Sequence, residues 1–394
     1  MFRILAHVAP LMSLCVSLGA QEAIVARGFQ HFYNLEFDEA IAEFSRAVSQ
    51  QPDSAAAHNH LAQAILYRAV FRVGALESEL VTGNNPFLRR PKVEATPEEE
   101  RRFDEAIRKS MELSQARLRQ NPRDVQALYT LGVAYGFRAN YNFLVRKAWR
   151  DALRDATAGR KHHSRVTELE PSFVDARLMQ GVHDYVVGSL PPIWRMLGFL
   201  IGFRGNKEEG LRTLELVAEK ATLDREDAKI LLCIAYRREK KPQPAIPLLE
   251  ELIHRFPRNY LFYLELAQMR SELGEKDRAL EAVRQVKELK ASGAPGFARL
   301  PLERICYAEG NIQFWYNELD AALDNLKKAT AGAGALDLNT GVLAWMRLGQ
   351  LYDLKGQRQA ALEAYRRAID FAPASDAARE SRRYLSSPYR RAKK

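Results

Sequence analysis

Apolar residues along the chain recur every three to four positions, which is the spacing of one face of an α-helix. Prolines interrupt the pattern at intervals, as at Pro52, Pro257 and Pro373, where a helix must stop. The period-two alternation that strands require is missing from the sequence. The helical stretches repeat after about 34 residues, so the sequence predicts a series of antiparallel helix pairs.

The last copy of this repeat is the clearest. Eight of its positions follow a fixed order of small and large residues: Trp345, Leu348, Gly349, Tyr352, Ala361, Tyr365, Ala368 and Pro373. The first copy follows the same frame at Gly28, Ala40, Phe44, Ala47 and Pro52. Copies between them include Gly132, Tyr135, Ala245 and Pro257. The small residues let two helices approach, and the large ones fill the space between them. This pattern resembles the tetratricopeptide repeat (TPR).

The resemblance implies an all-α protein of the TPR-type α-solenoid class, a right-handed superhelix of antiparallel helix hairpins with a concave face. We assign residues 21–385 to about seven or eight such hairpins. Two insertions interrupt them, a long loop at 82–96 and an apolar helical insertion at 188–205. After the loop, Thr96, Pro97 and Glu99 predict the start of a helix with a capping box.

The two ends of the chain differ from the repeats. Residues 1–20 combine Arg3 with an apolar stretch and small residues near Ala20, which predicts a cleavable signal peptide and a periplasmic or secreted protein. The alternatives are an uncleaved N-terminal membrane anchor and a lipoprotein signal ending at Cys15. At the other end, residues 386–394 are predicted to be a basic, disordered tail. The chain is therefore similar to exported bacterial TPR proteins.

The insertion at 188–205 is the most apolar internal segment. Its prolines, Pro191 and Pro192, predict a helix of about 11 residues, roughly 17 Å long, which is too short to cross a bilayer. The segment is either a buried plug, a ligand pocket lined by its glycines and aromatic residues, or a surface wedge that contacts lipid or a partner. The candidate contact residues of the wedge are Trp194, Arg195, Phe199, Phe203 and Arg204.

The same segment carries a second resemblance. The matching runs are Gly188-Ser189-Leu190-Pro191-Pro192, Leu197-Gly198-Phe199, Ile201-Gly202-Phe203, Gly205-Asn206-Lys207 and Gly210-Leu211. They are similar to the core of the tetratricopeptide repeat protein 39 and inclusion-body-clearance family, over about residues 170–290. The resemblance implies an adaptor and supplies no catalytic residue.

Charge and candidate chemistry add little to this picture. The net charge of +10 predicts attraction to anionic surfaces. A candidate basic face contains Arg146, Lys147, Arg150 and Arg154, and the alternative is a plain solvated helix face. Cys233 and Cys306 are predicted to be buried and unpaired, and the histidines to be surface or packing residues. The sequence contains no nucleotide-binding loop, nucleophile elbow or zinc motif, so no cofactor or metal is predicted.

These observations favour a non-catalytic scaffold or adaptor in the cell envelope that binds a protein partner in a TPR groove. The alternative is a peripheral, lipid-associated envelope factor that uses the 188–205 segment and its basic surface on an anionic membrane. Export argues against a nucleic-acid partner. The sequence does not predict the partner's identity or the oligomeric state.

Overall fold

The structure is a computed structural model, which describes residues 22–74, 76, 92–190 and 204–391. Seventeen α-helices occupy these ranges, and no strand occurs within them. The helices are α1 (22–33), α2 (Phe37–Gln50), α3 (Ala55–Arg72), α4 (Pro97–Gln120), α5 (Val125–Tyr141), α6 (Trp149–Leu169), α7 (Leu178–Gly188), α8 (Lys207–Lys220), α9 (Arg225–Arg238), α10 (Ala245–Arg255), α11 (Tyr260–Glu272), α12 (Lys276–Ala291), α13 (Leu302–Trp315), α14 (Leu319–Ala331), α15 (Leu338–Leu354), α16 (Arg358–Phe371) and α17 (Asp376–Ser386). The predicted all-α fold class, built from repeated helix hairpins, is confirmed.

The helices form two compact units. The first unit contains α1, α2, α3 as far as Ala69, and α4 to α8. Within it, α4 packs on α5, α5 on α6, and α7 on α8. The second unit contains the last residues of α3 and α9 to α17. From α9 to α17, every two consecutive helices pack together, so this unit grows by the addition of neighbours along the chain.

Close pairs of a glycine and an aromatic ring hold the hairpins together. A Cβ built on Gly349 of α15 would lie 2.5 Å from Cε1 of Tyr365 on α16. A Cβ built on Gly28 of α1 would lie 2.4 Å from Cε1 of Phe44 on α2. Real Cβ atoms do not approach that closely. The hydrogen of glycine therefore allows each ring to be fully buried at the helix crossing.

The core of the last hairpins shows why these helices are amphipathic. Tyr307, Leu326, Leu348 and Leu351, from three successive helices, join one buried cluster. Burial of one such leucine is worth about 1.5–3 kcal/mol relative to exposure. Because each helix buries its apolar face against its neighbours only, no hairpin has a complete core by itself.

Helix α4 begins as its sequence predicts. Thr96 is the N-cap; its hydroxyl accepts from the backbone N–H of Glu99 at 3.2 Å, and the Glu99 carboxylate accepts from Thr96 N at 2.8 Å. Pro97 follows at the first helical position. This reciprocal pair satisfies two backbone donors that a helix start leaves without partners. The predicted capping box is confirmed.

The C-terminal segment differs from its prediction as a disordered tail. Ser387 leaves α17 with an extended backbone, and Tyr389 and Arg391 then contact residues of α13, α15 and α17. Pro388 stops the helix because it has no N–H to donate, and it favours an extended residue before it. Tyr389 then reaches an aromatic ring of α13. The basic composition indicated solvation, whereas this aromatic side chain anchors the segment.

Several predicted features lie outside the described residues. They are the signal peptide at 1–20, most of the 82–96 loop, the last three residues of the chain, and Trp194, Arg195, Phe199 and Phe203 of the apolar insertion. Arg204 is described and is exposed. Among the described helices, none combines the length and the apolar character needed to cross a membrane.

Candidate protein-binding site

Aromatic and arginine side chains gather where α13 ends. Phe314 and Trp315 occupy the last two positions of this helix, and their rings meet edge to face with centroids 5.4 Å apart. Phe314 is fully buried, whereas Trp315 is 52% exposed. Asn317, with φ 65°, turns the chain from α13 into α14. A buried ring beside an exposed one therefore marks the edge of the core. We call the group formed by Phe314, Trp315, Arg347, Tyr384, Tyr389 and Arg391 the C-terminal cluster.

Arg347 of α15 lies beneath these rings. Its guanidinium carbon is 4.7 Å from the centroid of Phe314 and 4.7 Å from that of Trp315. Nη1 donates to Gln350 Oε1 at 2.7 Å, while buried Nε has no hydrogen-bond partner. Within the described part of the chain, no carboxylate forms an ion pair with it. Two ring faces and the Gln350 amide oxygen therefore lie against this buried charge and stabilise it.

Asp353 of α15 organises the other side of the cluster. Its side chain is buried and accepts hydrogen bonds from Arg358 Nη1 at 2.9 Å and from the Tyr365 hydroxyl at 2.8 Å. It also accepts from the backbone N–H of Tyr389 at 2.8 Å. Burial, followed by the hydrogen bond to this carboxylate, raises the pKa of Tyr365. The carboxylate thus fixes two side chains of α16 and one backbone position of the C-terminal segment.

The C-terminal segment crosses the cluster as an extended strand of chain. The Tyr389 ring lies 6.1 Å from Phe314 and 5.5 Å from Tyr384, centroid to centroid. Two residues later, Arg391 Cζ is 4.9 Å from the Phe314 centroid, and Nη1 donates to Asn317 Oδ1 at 2.9 Å. Nη2 of Arg391 donates to the carbonyl of Phe314. Arg390, between them, is exposed. Tyr389 and Arg391 therefore point toward the cluster and Arg390 points away, as in any extended chain.

Tryptophan, tyrosine and arginine are the residues that dominate binding energy in protein interfaces. The cluster contains all three, and its exposed member, Trp315, is a rigid apolar surface beside a charged group. No motif in the sequence marks this site. The only signals were the adjacent pair Phe314-Trp315 at the end of a helix and the tyrosine within the basic tail.

The predicted basic face lies in the first unit, around a π-helical turn at Asn142–Arg146 that connects α5 to α6. Arg146 pairs with Glu100 at 3.0 Å and with Asp104 at 2.6 Å. Lys147 has a left-handed backbone, and its Nζ is 5.7 Å from the Phe143 ring centroid. The structure thus directs Arg146 toward α4.

The first two turns of α6 hold the rest of this face. Arg154 pairs with Asp151 at 2.8 Å, and Arg150 is exposed. The residue before each arginine is apolar and exposed: Trp149 is 42% exposed and Leu153 is 45% exposed. Because residues four apart share a side of a helix, the tryptophan and the leucine form one apolar strip with an arginine following each.

The TPR-frame residues occupy helix crossings and turns. Ala40, Ala245, Ala361 and Ala368 are fully buried, and Tyr135 stacks on His162 with centroids 5.6 Å apart. Tyr352 is half-buried and packs against the core of the last hairpins. Trp345, also half-buried, lines an open cleft of about 690 Å³ together with Phe371 and Arg367. The carbonyls of Pro52, Pro257 and Pro373 accept hydrogen bonds from His58, Tyr263 and Arg382.

The remaining candidate chemistry is structural. Cys233 and Cys306 are both buried and unpaired, as predicted. Burial lowers the pKa of His163 to about 4, and its Nε2 lies 3.2 Å from the carbonyl of Tyr129. Because burial disfavours the charged ring, Nε2–H donates to that carbonyl. In the described ranges, no group of three or more His, Cys, Asp or Glu side chains is arranged to hold a metal ion.

The solved structures that are similar to this chain include two of low sequence identity. One is a chain in the crystal structure of the APC/C hetero-tetramer Cut9-Hcn1, with 10% identity and a TM-score of 0.48 over 92% of this chain and 55% of that chain. The other is yeast Tom70, with 13% identity and a TM-score of 0.38 over 94% of this chain and 95% of that chain. This chain thus spans about half the length of the first structure's chain.

A search of curated protein sequences returned no match. One sequence model of the tetratricopeptide repeat matches residues 28–69 and 232–294, and a second such model matches residues 342–375. The chain therefore contains tetratricopeptide repeats near its start, in its middle and near its end.

Proposed function

We propose that this protein is a non-catalytic scaffold that binds a segment of a partner protein at its C-terminal cluster. Tetratricopeptide repeats generally bind protein partners, and the chain contains several of them. The observation that carries the proposal is the extended C-terminal segment, held across the cluster by ring contacts, a backbone hydrogen bond and an arginine. A surface that accepts an extended peptide in this way has the chemistry to accept one from another protein.

Photo-crosslinking from two positions on one helix tests this function. A crosslinking amino acid replaces Trp315, 52% exposed at the end of α13, or Leu302, 50% exposed at its start. We expect extracts of the source cells to give a defined protein adduct from position 315 and none from position 302. Replacement of Trp315 by alanine should weaken binding of that protein about tenfold or more. Reproducible absence of a protein adduct at 315 would contradict the proposal.

We further propose that the scaffold acts in the cell envelope or outside the cell, on the basis of the signal-like residues 1–20. Amino-terminal sequencing of the protein purified from its source tests the location. A mature chain that begins near Gln21 supports export, and a chain that begins at Met1 in the cytosolic fraction contradicts it.

A second candidate function is binding to an anionic membrane surface. It is favoured by the exposed strip of Trp149 and Leu153 on α6, with Arg150 and Arg154 beside it. Apolar side chains that enter the interface, flanked by cations, are the usual means of peripheral attachment. Flotation with vesicles of anionic lipid at low and high salt tests this function. The wild type should float at low salt, and the variant W149A/L153A should not.

A further inference from the structure

The contacts of the C-terminal segment with the C-terminal cluster are not all favourable. Arg391 Nε is buried and has no hydrogen-bond partner among the residues that the structure describes, although both Nη atoms are bonded. Arg347 stacks on the same Phe314 ring, so two like charges share one aromatic group. An unpaired buried donor and a like-charged neighbour both weaken an interaction. The segment therefore occupies the cluster with less than the best possible complementarity.

The residues of the site nevertheless favour a bound segment with particular side chains. Phe314 and Tyr384 form an aromatic wall for one ring. The Phe314 carbonyl, at the negative end of the α13 dipole, accepts from the guanidinium of Arg391 in addition to the backbone N–H of Asn317 at 3.1 Å, so this helix end accepts one cation. Asp353 accepts one backbone N–H, that of Tyr389 in the C-terminal segment. An aromatic residue followed two positions later by arginine, in an extended chain, satisfies all three.

We propose that this surface is a binding site for an aromatic-x-arginine segment of a partner protein, and that Tyr389 and Arg391 occupy it in cis until the partner displaces them. The inference rests on the proposed scaffold function and adds to it the chemical class of the ligand. The tethered tail competes at an effective concentration in the millimolar range, so only a better-fitting or abundant segment gains access. The C-terminal segment would thus restrict binding to such partners.

A peptide that reproduces residues 385–394 tests the site directly. The acetylated, fluorescein-labelled peptide is added to full-length wild type, to the variant Y389A/R391A, and to R390A as the matched control. R390A removes the same positive charge at an exposed position and leaves the contacts with the cluster unchanged. Fluorescence anisotropy measures binding, and circular dichroism verifies helix content.

We expect Y389A/R391A to bind the peptide at least about tenfold more tightly than wild type and R390A, because its own tail no longer competes. A second peptide, with alanine in place of its tyrosine and of the arginine that corresponds to Arg391, should not bind. Equal affinity of all three proteins, or equal binding of the two peptides, would overturn the proposal. If the double variant loses helix content, a chain that ends at Ser387, which keeps α1 to α17, provides the same comparison.

Two further outcomes separate this inference from the scaffold function. If the partner crosslinked at position 315 binds wild type and Y389A/R391A equally, the scaffold function stands and displacement of the tail is wrong. If the peptide binds the double variant but no partner is crosslinked, the site is supported and the scaffold function fails. A wild-type dimer that dissociates in the double variant would also overturn the proposal, since the tail would then occupy a second copy.

Discussion

Gly349 sets how closely α15 and α16 approach each other. A Cβ at this position would lie 2.5 Å from the ring of Tyr365, which cannot move away because its hydroxyl is bonded to Asp353. We expect Gly349→Ala to lower the free energy of unfolding by about 1–3 kcal/mol, after its gain in helix propensity is included. Urea denaturation measures the change. Gly334→Ala is the control, since nothing lies within 4 Å of its added Cβ. Equal losses in the two variants would contradict the steric explanation.

His163 makes stability depend on pH. Burial lowers its pKa from the ordinary 6.5 to about 4, so the unfolded chain takes up the proton first as the pH falls. The neutral ring contributes about 3 kcal/mol to the free energy of unfolding. This contribution is complete above about pH 6.5 and is lost as the pH falls toward 4. In His163→Gln, which does not titrate, the free energy of unfolding should fall less over this interval. Parallel pH profiles for the two proteins would refute the assignment.

At the scale of the element, the start of α4 is stabilised both locally and by α3. Thr96→Ala removes the acceptor for Glu99 N and should lower the free energy of unfolding by about 1 kcal/mol. Glu99→Ala should lower it by about 1–2 kcal/mol more than Thr96→Ala does, because the Glu99 carboxylate also accepts from Arg68 Nε at 3.1 Å and is buried. Thermal unfolding followed by circular dichroism ranks the variants. Glu98→Ala, at an exposed position of the same turn, is the control and should unfold close to the wild-type temperature.

The elements that the sequence predicts are those specified by local spacing. Gly349 and Tyr365 lie 16 positions apart in one hairpin, and Thr96 and Glu99 share one helical turn, so both features follow from the repeat or the turn itself. The C-terminal cluster joins residues from four separate segments, and its formation depends on the place where each helix ends. The π-helical turn at Asn142–Arg146 has no distinctive sequence signal; it brings Asn142 Nδ2 within 3.1 Å of buried Asp155.

At the scale of the whole molecule, the order of packing determines how a local change spreads. In the second unit, consecutive helices pack on each other along the chain, and α4 to α6 do so in the first. In such repeats, stability is approximately the sum of the repeats and of their contacts with nearest neighbours. A destabilised hairpin therefore weakens its neighbours first. Opening of the structure should be graded along the sequence.

Hydrogen exchange of two glycine variants tests this gradient. Gly349→Ala should speed amide exchange most in α15 to α17, less in α13 and α14, and not measurably in α5 and α6. Gly28→Ala, whose added Cβ would lie 2.4 Å from Phe44, should speed exchange in α1 and α2 and leave α15 to α17 unchanged. Both substitutions place a methyl group against a buried ring, so they differ mainly in their place along the chain. If either variant accelerated exchange uniformly in all helices, unfolding would be globally cooperative and the nearest-neighbour account would be wrong.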